Sequence, residues 1–337
     1  MKHAHILLGH GSGGQLTHDL IENIFLKHFG NPKLDKLGDS AIFSGSTGKL
    51  AFTTDSFVVD PLFFPGANIG KLAIAGTVND LAVAGAVPKF LSAAFILEEG
   101  LSTKLLEEVV AAMAEEAKIA DIQIVTGDTK VVERGKCDKL FINTAGVGFM
   151  EPAFTKLDQN NIKPGDKILI NGSIGDHGMA VMAARNQLNI QSPVQSDCAS
   201  LNGLIQSLKP LGAHIRFMRD ATRGGLATVA TEICSNKSFG VELFESEIPV
   251  NSSVRGMCEL LGFDPLYVAN EGKVLLVVDG QYAADLLAQL RLHPLGKDAA
   301  IIGEIKQDKP GRCMLQTSIG GHRIVDMLAG EQLPRIC

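Results

Sequence analysis

Five aspartates stand where a carboxylate can meet a cation. Asp39 lies in Gly38-Asp39-Ser40, Asp55 in Thr53-Thr54-Asp55-Ser56, Asp80 in Val78-Asn79-Asp80, Asp128 in Thr126-Gly127-Asp128-Thr129 and Asp220 in Arg219-Asp220-Ala221-Thr222. Taken singly, each reads as a turn or helix-capping acid. Five in such similar settings, at strand ends or beside Gly, Ser, Thr or Asn, point to a shared site, because strand ends converge in space. Carboxylates gathered in this way suit a hard, oxygen-seeking cation such as magnesium, which would in turn hold the phosphates of a nucleotide. Cys337 is the second chemical signal. A thiol on the last residue, on a tail that follows Gly330, can travel on the order of 20 Å, enough to visit two sites.

Competing chemistries fit less well. Gly9-His10-Gly11-Ser12-Gly13-Gly14 satisfies the dinucleotide pattern GxGxxG, but Gly30-Asn31-Pro32-Lys33 intervenes where a second buried strand ending in an acid should stand. A glycine-rich phosphate cover or a plain surface loop remains for this stretch. A Walker lysine is missing, since Lys71 is followed by Leu72 rather than Ser or Thr. No His pair has zinc-ligand spacing on a helix, and the six cysteines are scattered without a CxxC pair. Cys337 is last rather than fourth from the end, so it is no prenylation signal.

The elements that must position these residues follow from periodicity. Ala51 to Thr54 alternates as a strand, Gly66 to Gly85 reads as an alanine-rich helix, and Phe90 to Leu97 as a strand. Ser102 to Ala117 forms an amphipathic helix with Ser102 as candidate N-cap, Ile122 to Val125 a strand, and Leu140 to Phe149 another. The small residues of the 66–85 helix allow close packing on its own sheet or on a second subunit. Periodicity lapses around Glu151-Pro152 and Asp158 to Pro164 and resumes with a strand over Lys167 to Asn171, so the domain boundary is expected at residue 150. Helices over Met179 to Arg185, Leu201 to Leu208 and Tyr282 to Leu290 then alternate with strands over Val274 to Val278 and Ala299 to Ile305.

Composition sets the bounds. At 337 residues with 45% hydrophobic content, two domains are expected: 1–150 and 151–330, followed by a mobile tail over 331–337. A net charge of -6 argues against nucleic acid as the main partner, and the absence of Trp with only two Tyr argues against a stacking platform. No apolar run is long enough to span a membrane, and the first residues lack a signal-peptide core, so a cytoplasmic location is expected.

The strings GDSA (Gly38 to Ala41), FTTDSFVVDPLFFPG (Phe52 to Gly66), GTVNDLAVAGAVP (Gly76 to Pro88), VTGDTKVV (Val125 to Val132) and RDATRGGLA (Arg219 to Ala227) together carry a resemblance. In this order they resemble the aminoimidazole ribonucleotide synthetase-like ATP-binding superfamily, over nearly the whole chain. Within it, HGSGG (His10 to Gly14) and the terminal PRIC (Pro334 to Cys337) resemble the hydrogenase-maturation carbamoyl dehydratases of the HypE family. The resemblance implies an α/β (α+β) fold of two domains with mixed sheets covered by helices.

It further implies that a carbamoyltransferase, HypF, loads Cys337 with a carbamoyl group. ATP then makes the carbamoyl oxygen a leaving phosphate, a base removes the nitrogen protons, and the resulting thiocyanate passes cyanide to iron on HypC and HypD. The nucleotide site it implies comprises Gly11, Gly13, Gly14, Asp39, Asp55, Asn79, Asp80, Asp128 and Asp220, with Mg2+ on Asp55, Asp80, Asp128 or Asp220. ATP binding and homodimerisation would fall to the 1–150 half. Lys130 and Glu271 are the candidates for proton handling. Lys130 also reads as a phosphate-binding or surface cation, and Glu271 as a turn acid beside Gly272, a glycine that favours a special backbone conformation. A selenophosphate synthetase would use the same ATP site but needs a reactive cysteine near its N-terminus, and the first here is Cys137. Another kinase or synthetase of the superfamily is the alternative.

Overall fold

The computed structural model of the protein describes residues 4–7, 10, 15–32, 34, 48–185, 193–327, 333 and 335–337. Gly11, Gly13, Gly14 and Asp39 lie outside them. In chain order the first elements are α1 (Gln15–Leu20), which continues through a π-helical turn into α2 (Lys27–Phe29), then β1 (Leu50–Phe57), the small hairpin β2 (Phe63–Phe64) and β3 (Ala67–Asn68), and α3 (Ile69–Val83). β4 (Ala86–Glu98), α4 (Thr103–Ile119), β5 (Gln123–Val132) and β6 (Leu140–Met150) follow. Among the described residues β1, β6, β4 and β5 form a four-stranded sheet in that order, antiparallel except for the β4–β5 pair.

The small residues of α3 are used inside the chain. Asn68 caps the helix by accepting from the amides of Gly70 at 2.8 Å and Lys71 at 3.1 Å. A Cβ on Gly70 would stand 2.2 Å from the Val109 carbonyl of α4, and one on Gly76 would stand 2.9 Å from the Phe57 ring of β1. α3 therefore lies backbone-close to α4 and against the Phe57 ring of the sheet, and nearly all of it is buried. Sequence left open whether this stripe met its own sheet or a second subunit, and it meets its own sheet and α4.

Facing positions across a sheet share a side. Asp55, Thr144 and Ala93 form a row turned toward α3, where the hydroxyls of Thr77 and Thr144 hydrogen-bond to each other. Ser56, Asn143, Ala94 and Asp128 form the next row, on the opposite side. That opposite side is apolar and open at its end, with Phe52 71%, Leu50 59% and Ile96 43% exposed.

The second half begins with β7 (Lys167–Ile170), α5 (Asp176–Ala184), α6 (Asn202–Ser207), β8 (Ile215–Asp220), α7 (Gly225–Cys234) and β9 (Gly240–Phe244). It ends with α8 (Ser252–Leu261), β10 (Val274–Val278), α9 (Ala283–Leu292), β11 (Ala300–Lys306), β12 (Cys313–Gln316) and β13 (His322–Val325). Its strands build a mixed seven-stranded sheet among the described residues, ordered β13-β12-β9-β11-β7-β10-β8. α7 covers one side of the sheet, and α6 and α9 cover the other. β10 is buried at every position, which explains its unbroken apolar run. β8 escaped notice in the sequence because a buried cation interrupts it: Arg216 pairs with Asp279 at 2.5 Å and lies 3.9 Å from Asp166. α5 and α8 pack into the first-half core, together with Leu333 and Ile336 of the tail.

Replacing Gly70 by alanine should destabilise the protein by about 1–3 kcal/mol or more, since the obstacle is a backbone carbonyl that cannot rotate away. Thermal unfolding of Gly70→Ala at the wild-type midpoint would contradict this packing.

Candidate functional site

A cavity of about 430 Å³ opens where the end of β1, the second half of α3, the end of β8 and the start of α7 come together. Asp55, Asp80, Asp220, Glu271 and Cys337 line it, together with Arg219 and Arg223. Each acid has a local reason for its place. Asp55 faces α3 by strand alternation, and its Oδ1 accepts from the Ser56 amide at 2.8 Å. Asp80 is on the sheet-facing side of α3, where Oδ2 accepts from the Thr53 hydroxyl at 2.8 Å. Asp220 ends β8 opposite Val274. The chain then turns through Gly224 and Gly225, both at positive φ, into α7. At Gly225 a Cβ would lie 2.5 Å from the Leu266 carbonyl, so glycine is required for space as well as for conformation.

Glu271 is 3% exposed, and its Oε1 has no hydrogen-bond partner among the described residues. It sits between two anchored neighbours. Asn270 accepts from the Gly175 amide at 2.7 Å and donates to the Ala221 carbonyl at 2.7 Å. Gly272 is needed for close approach rather than for an unusual φ, because a Cβ there would meet the Asp197 carbonyl at 1.9 Å. Asp197 accepts from the amides of Glu271 and Gly272 at 3.1 and 3.2 Å and is ion-paired to Lys273 at 2.9 Å.

Burial, joined for most of them by a neighbouring acid, raises these carboxyls. Burial first, then Asp80 and Asp55, push Asp220 up to about 7. Burial, then the charge of Asp80, raises Asp55 against the opposing Ser56 amide, and burial raises Asp80 against Thr53 and Arg219. Burial and then Asp220, Asp197 and Asp55 hold Glu271 well above the usual carboxylate range. A cluster of mutually repelling carboxylates with an orphaned buried oxygen fits a divalent cation as the missing positive charge. Among the described residues no three ligating side chains stand close enough to hold an ion by themselves, so any cation bound here would need further ligands such as phosphate oxygens.

The remaining residues singled out in the sequence fall elsewhere. Asn79 is buried beside the cavity rather than in its lining. Its amide donates to the carbonyls of Ala199 at 3.1 Å and Glu271 at 3.3 Å, and its oxygen accepts from the Leu201 amide at 2.7 Å. Asp128 and Lys130 lie on the edge strand β5, exposed and 3.4 Å apart, on the sheet side away from Asp55. Arg219, Arg223 and Thr222 line the cavity and were passed over as site residues, although RDATR places them directly around Asp220.

The fold and this acid-lined cavity define an AIR synthase related protein. The N-terminal domain of that family matches residues 37–150 and its C-terminal domain matches residues 163–316. The chain is 50% identical over 331 residues to the carbamoyl dehydratase HypE of Bradyrhizobium diazoefficiens, covering 98% of this chain and 95% of that protein. It superposes with a TM-score of 0.93, at 48% identity, on the crystal structure of the hydrogenase maturation protein HypE in complex with ATP, covering 98% of this chain and 99% of that one. A chain of the crystal structure of a HypE-HypF complex matches at a TM-score of 0.79 and 47% identity over 92% of this chain and 99% of that one. The chain belongs to the carbamoyl dehydratase HypE family. Among the described residues no helix is long and apolar enough to cross a membrane.

The raised acids set a pH dependence. A native carboxyl with a pKa above its unfolded value holds a proton that the unfolded chain has released, so its stabilisation is full at low pH and is lost as pH rises. For Asp220 the window runs from roughly 4, the ordinary Asp value, to about 7. The metal-free protein should therefore lose Tm between pH 5 and 8 more steeply than Asp220→Asn, and Mg2+ should restore more Tm at pH 8 than at pH 6. Parallel Tm profiles for the two proteins would contradict the raised pKa of buried Asp220.

Proposed function

We propose that this enzyme dehydrates a carbamoyl group carried on the sulfur of Cys337, giving a thiocyanate whose cyanide serves the iron of a [NiFe] hydrogenase. The observation that carries this reading is the place of Cys337, which lines the same cavity as Asp55, Asp80, Asp220 and Glu271. A thiol threaded among carboxylates that suit a metal nucleotide is where a group on sulfur would meet a phosphoryl donor. Bound ATP would supply the phosphoryl group that makes the carbamoyl oxygen a leaving group, with Mg2+ spreading its charge.

The chain's own residues would do the rest. Asp55, Asp80 and Asp220 would hold the cation, and Arg219 and Arg223 add positive charge for phosphate oxygens. Glu271 is the candidate base for the nitrogen protons, since its Oε1 has no partner among the described residues and a cation beside the neighbouring acids would remove part of the repulsion that keeps it protonated. Burial around Glu271 and the tail would keep water from the activated group. Converting S–C(=O)–NH2 to S–C≡N removes both nitrogen protons and the oxygen, which departs as phosphate.

Partners follow the same reading. HypF would load Cys337 and the HypC-HypD iron scaffold would receive the cyanide, in the cytoplasm. A homodimer through the open face of the first sheet is supported by its apolar rows: Phe52 faces Val147, which faces Phe90, and Leu50 faces Phe149. Asp128 and Lys130 lie on that face, so a dimer would bring them to its seam, where they could serve a shared nucleotide site.

Two experiments test this. Cys337→Ala should still bind ATP but accept no carbamoyl group from HypF and carbamoyl donor, as read by intact mass. The loaded wild type should lose the mass of one water when ATP and Mg2+ are added, and thiocyanate formation by Cys337→Ala would overturn the mechanism. Light scattering should give a dimer mass for the wild type at micromolar concentration and a monomer mass for Phe52→Glu. A wild-type monomer would remove the proposed interface.

A further inference from the structure

The last residues of the chain are held by their main chain. The carbonyl of Cys337 accepts from the Val58 amide at 3.2 Å and that of Arg335 from the Asp60 amide at 3.2 Å, the spacing of a short antiparallel strand laid on the residues that follow β1. Between them the Ile336 carbonyl accepts from His177 Nε2 at 2.8 Å, and the Arg335 carbonyl also accepts from Arg185 Nη2 at 2.8 Å. Three successive carbonyls are thus gripped, two of them by side chains of α5 and its C-terminal end. Ile336, 4% exposed, is the apolar anchor, and alternation along an extended chain turns Cys337 away from it. Arg335 closes the strap through ion pairs with Asp138 and, at 3.7 Å, Asp60.

Both grips are themselves fixed. His177 is fully buried, and donation from Nε2 leaves Nδ1 to accept from the Ser196 hydroxyl at 2.9 Å, with Phe64 edge-on at a ring separation of 5.3 Å. Ser196 in turn donates its amide to the Pro65 carbonyl at 2.8 Å. The Arg185 guanidinium also donates through Nε to the Asp60 carbonyl at 2.8 Å, so one side chain ties the tail to the strap beneath it. Neither residue lines the cavity that holds the acids.

We propose that His177 and Arg185 are positioning residues that clamp the tail by its backbone carbonyls and so set the depth and facing of the Cys337 sulfur in the cavity. The clamp reads no side chain of the modified residue, so it holds the tail whatever group the sulfur carries. It also opposes the withdrawal that loading by another protein requires. Loading and dehydration therefore place opposite demands on it, and weakening it should separate the two. This last consequence rests on Cys337 being the carbamoyl carrier.

The test has one readout independent of the reaction. In the full-length protein without nucleotide, maleimide labelling of Cys337, located by peptide mass, should be faster by about tenfold in Arg185→Gln and His177→Leu, each of which loses a hydrogen bond that holds the docked state. His177→Gln keeps a donor and should label near the wild-type rate. Arg185 is half-buried at a helix end, so its variant gives an answer even if His177→Leu fails to fold. With carbamoyl donor and HypF, Arg185→Gln should load at the wild-type rate or faster and lose water more slowly by about tenfold. Unchanged labelling in folded Arg185→Gln would overturn the clamp, as would equal loss of loading and dehydration. If the wild type itself takes no carbamoyl group, the carrier reading fails while the labelling result still decides the clamp.

Discussion

One buried side-chain amide, that of Asn79, joins the two halves of the molecule at the point where the cavity forms. From α3 it donates to the carbonyls of Ala199 and Glu271 and accepts from the amide of Leu201, so a first-half helix completes the hydrogen bonds of two second-half segments. A buried amide left without partners would carry a large desolvation penalty, so these three bonds strongly favour a single relative placement. Glu116 and the Ala120 carbonyl of the α4 end reinforce it, accepting from the Ser200 amide at 2.9 Å and the Asn202 side chain at 2.8 Å. With that joint made, Asp80, the next residue of α3, and Glu271, whose carbonyl Asn79 holds, face one cavity.

The joint brings like charges together, and the site's chemistry follows from that. Asp55, Asp80, Asp220 and Glu271 come from four separate stretches of chain; burial raises each of them, and neighbouring acids add to it at Asp55, Asp220 and Glu271. A site that stores repulsion of this kind gains affinity for whatever brings positive charge, which would suit a cation carried in with a polyphosphate. Packing stays tight around the strained cluster. Gly70, Gly76, Gly225 and Gly272 each sit where a side chain would strike backbone or an aromatic ring, and these contacts keep the elements carrying the acids from drifting apart.

The tail lies docked on this frame. Its position uses main-chain carbonyls and one apolar anchor, which under the proposed function would seat a chain end whose sulfur changes chemically without losing its place. Recognition of this type is strong enough to order a segment and weak enough per bond to be undone.

Much of this was legible in the sequence. The alternation of strands and helices, the acids in TTDS, VND and RDAT, and the terminal thiol are local patterns, set by side-chain periodicity and turn chemistry over a few residues. They sufficed to expect two domains and a shared acid site of Asp39, Asp55, Asp80, Asp128 and Asp220, whereas the roles of Glu271 and of Cys337 as a carrier came from the family resemblance. Other features depend on neighbours distant in sequence. Asp128 shares the motif appearance of the other acids, yet strand parity in β5 turns it, with Lys130, to the opposite side of the sheet, a matter of register that no short string carries. Asn79 entered the expected nucleotide site through the resemblance alone, and only the fold brings up the Ala199 and Glu271 carbonyls to which its amide donates. β8 hid behind Arg216, whose partners Asp166 and Asp279 are far away in the chain. His177 and Arg185 gave no motif at all, because a donor to a backbone carbonyl needs only the right position, and position is what tertiary structure decides.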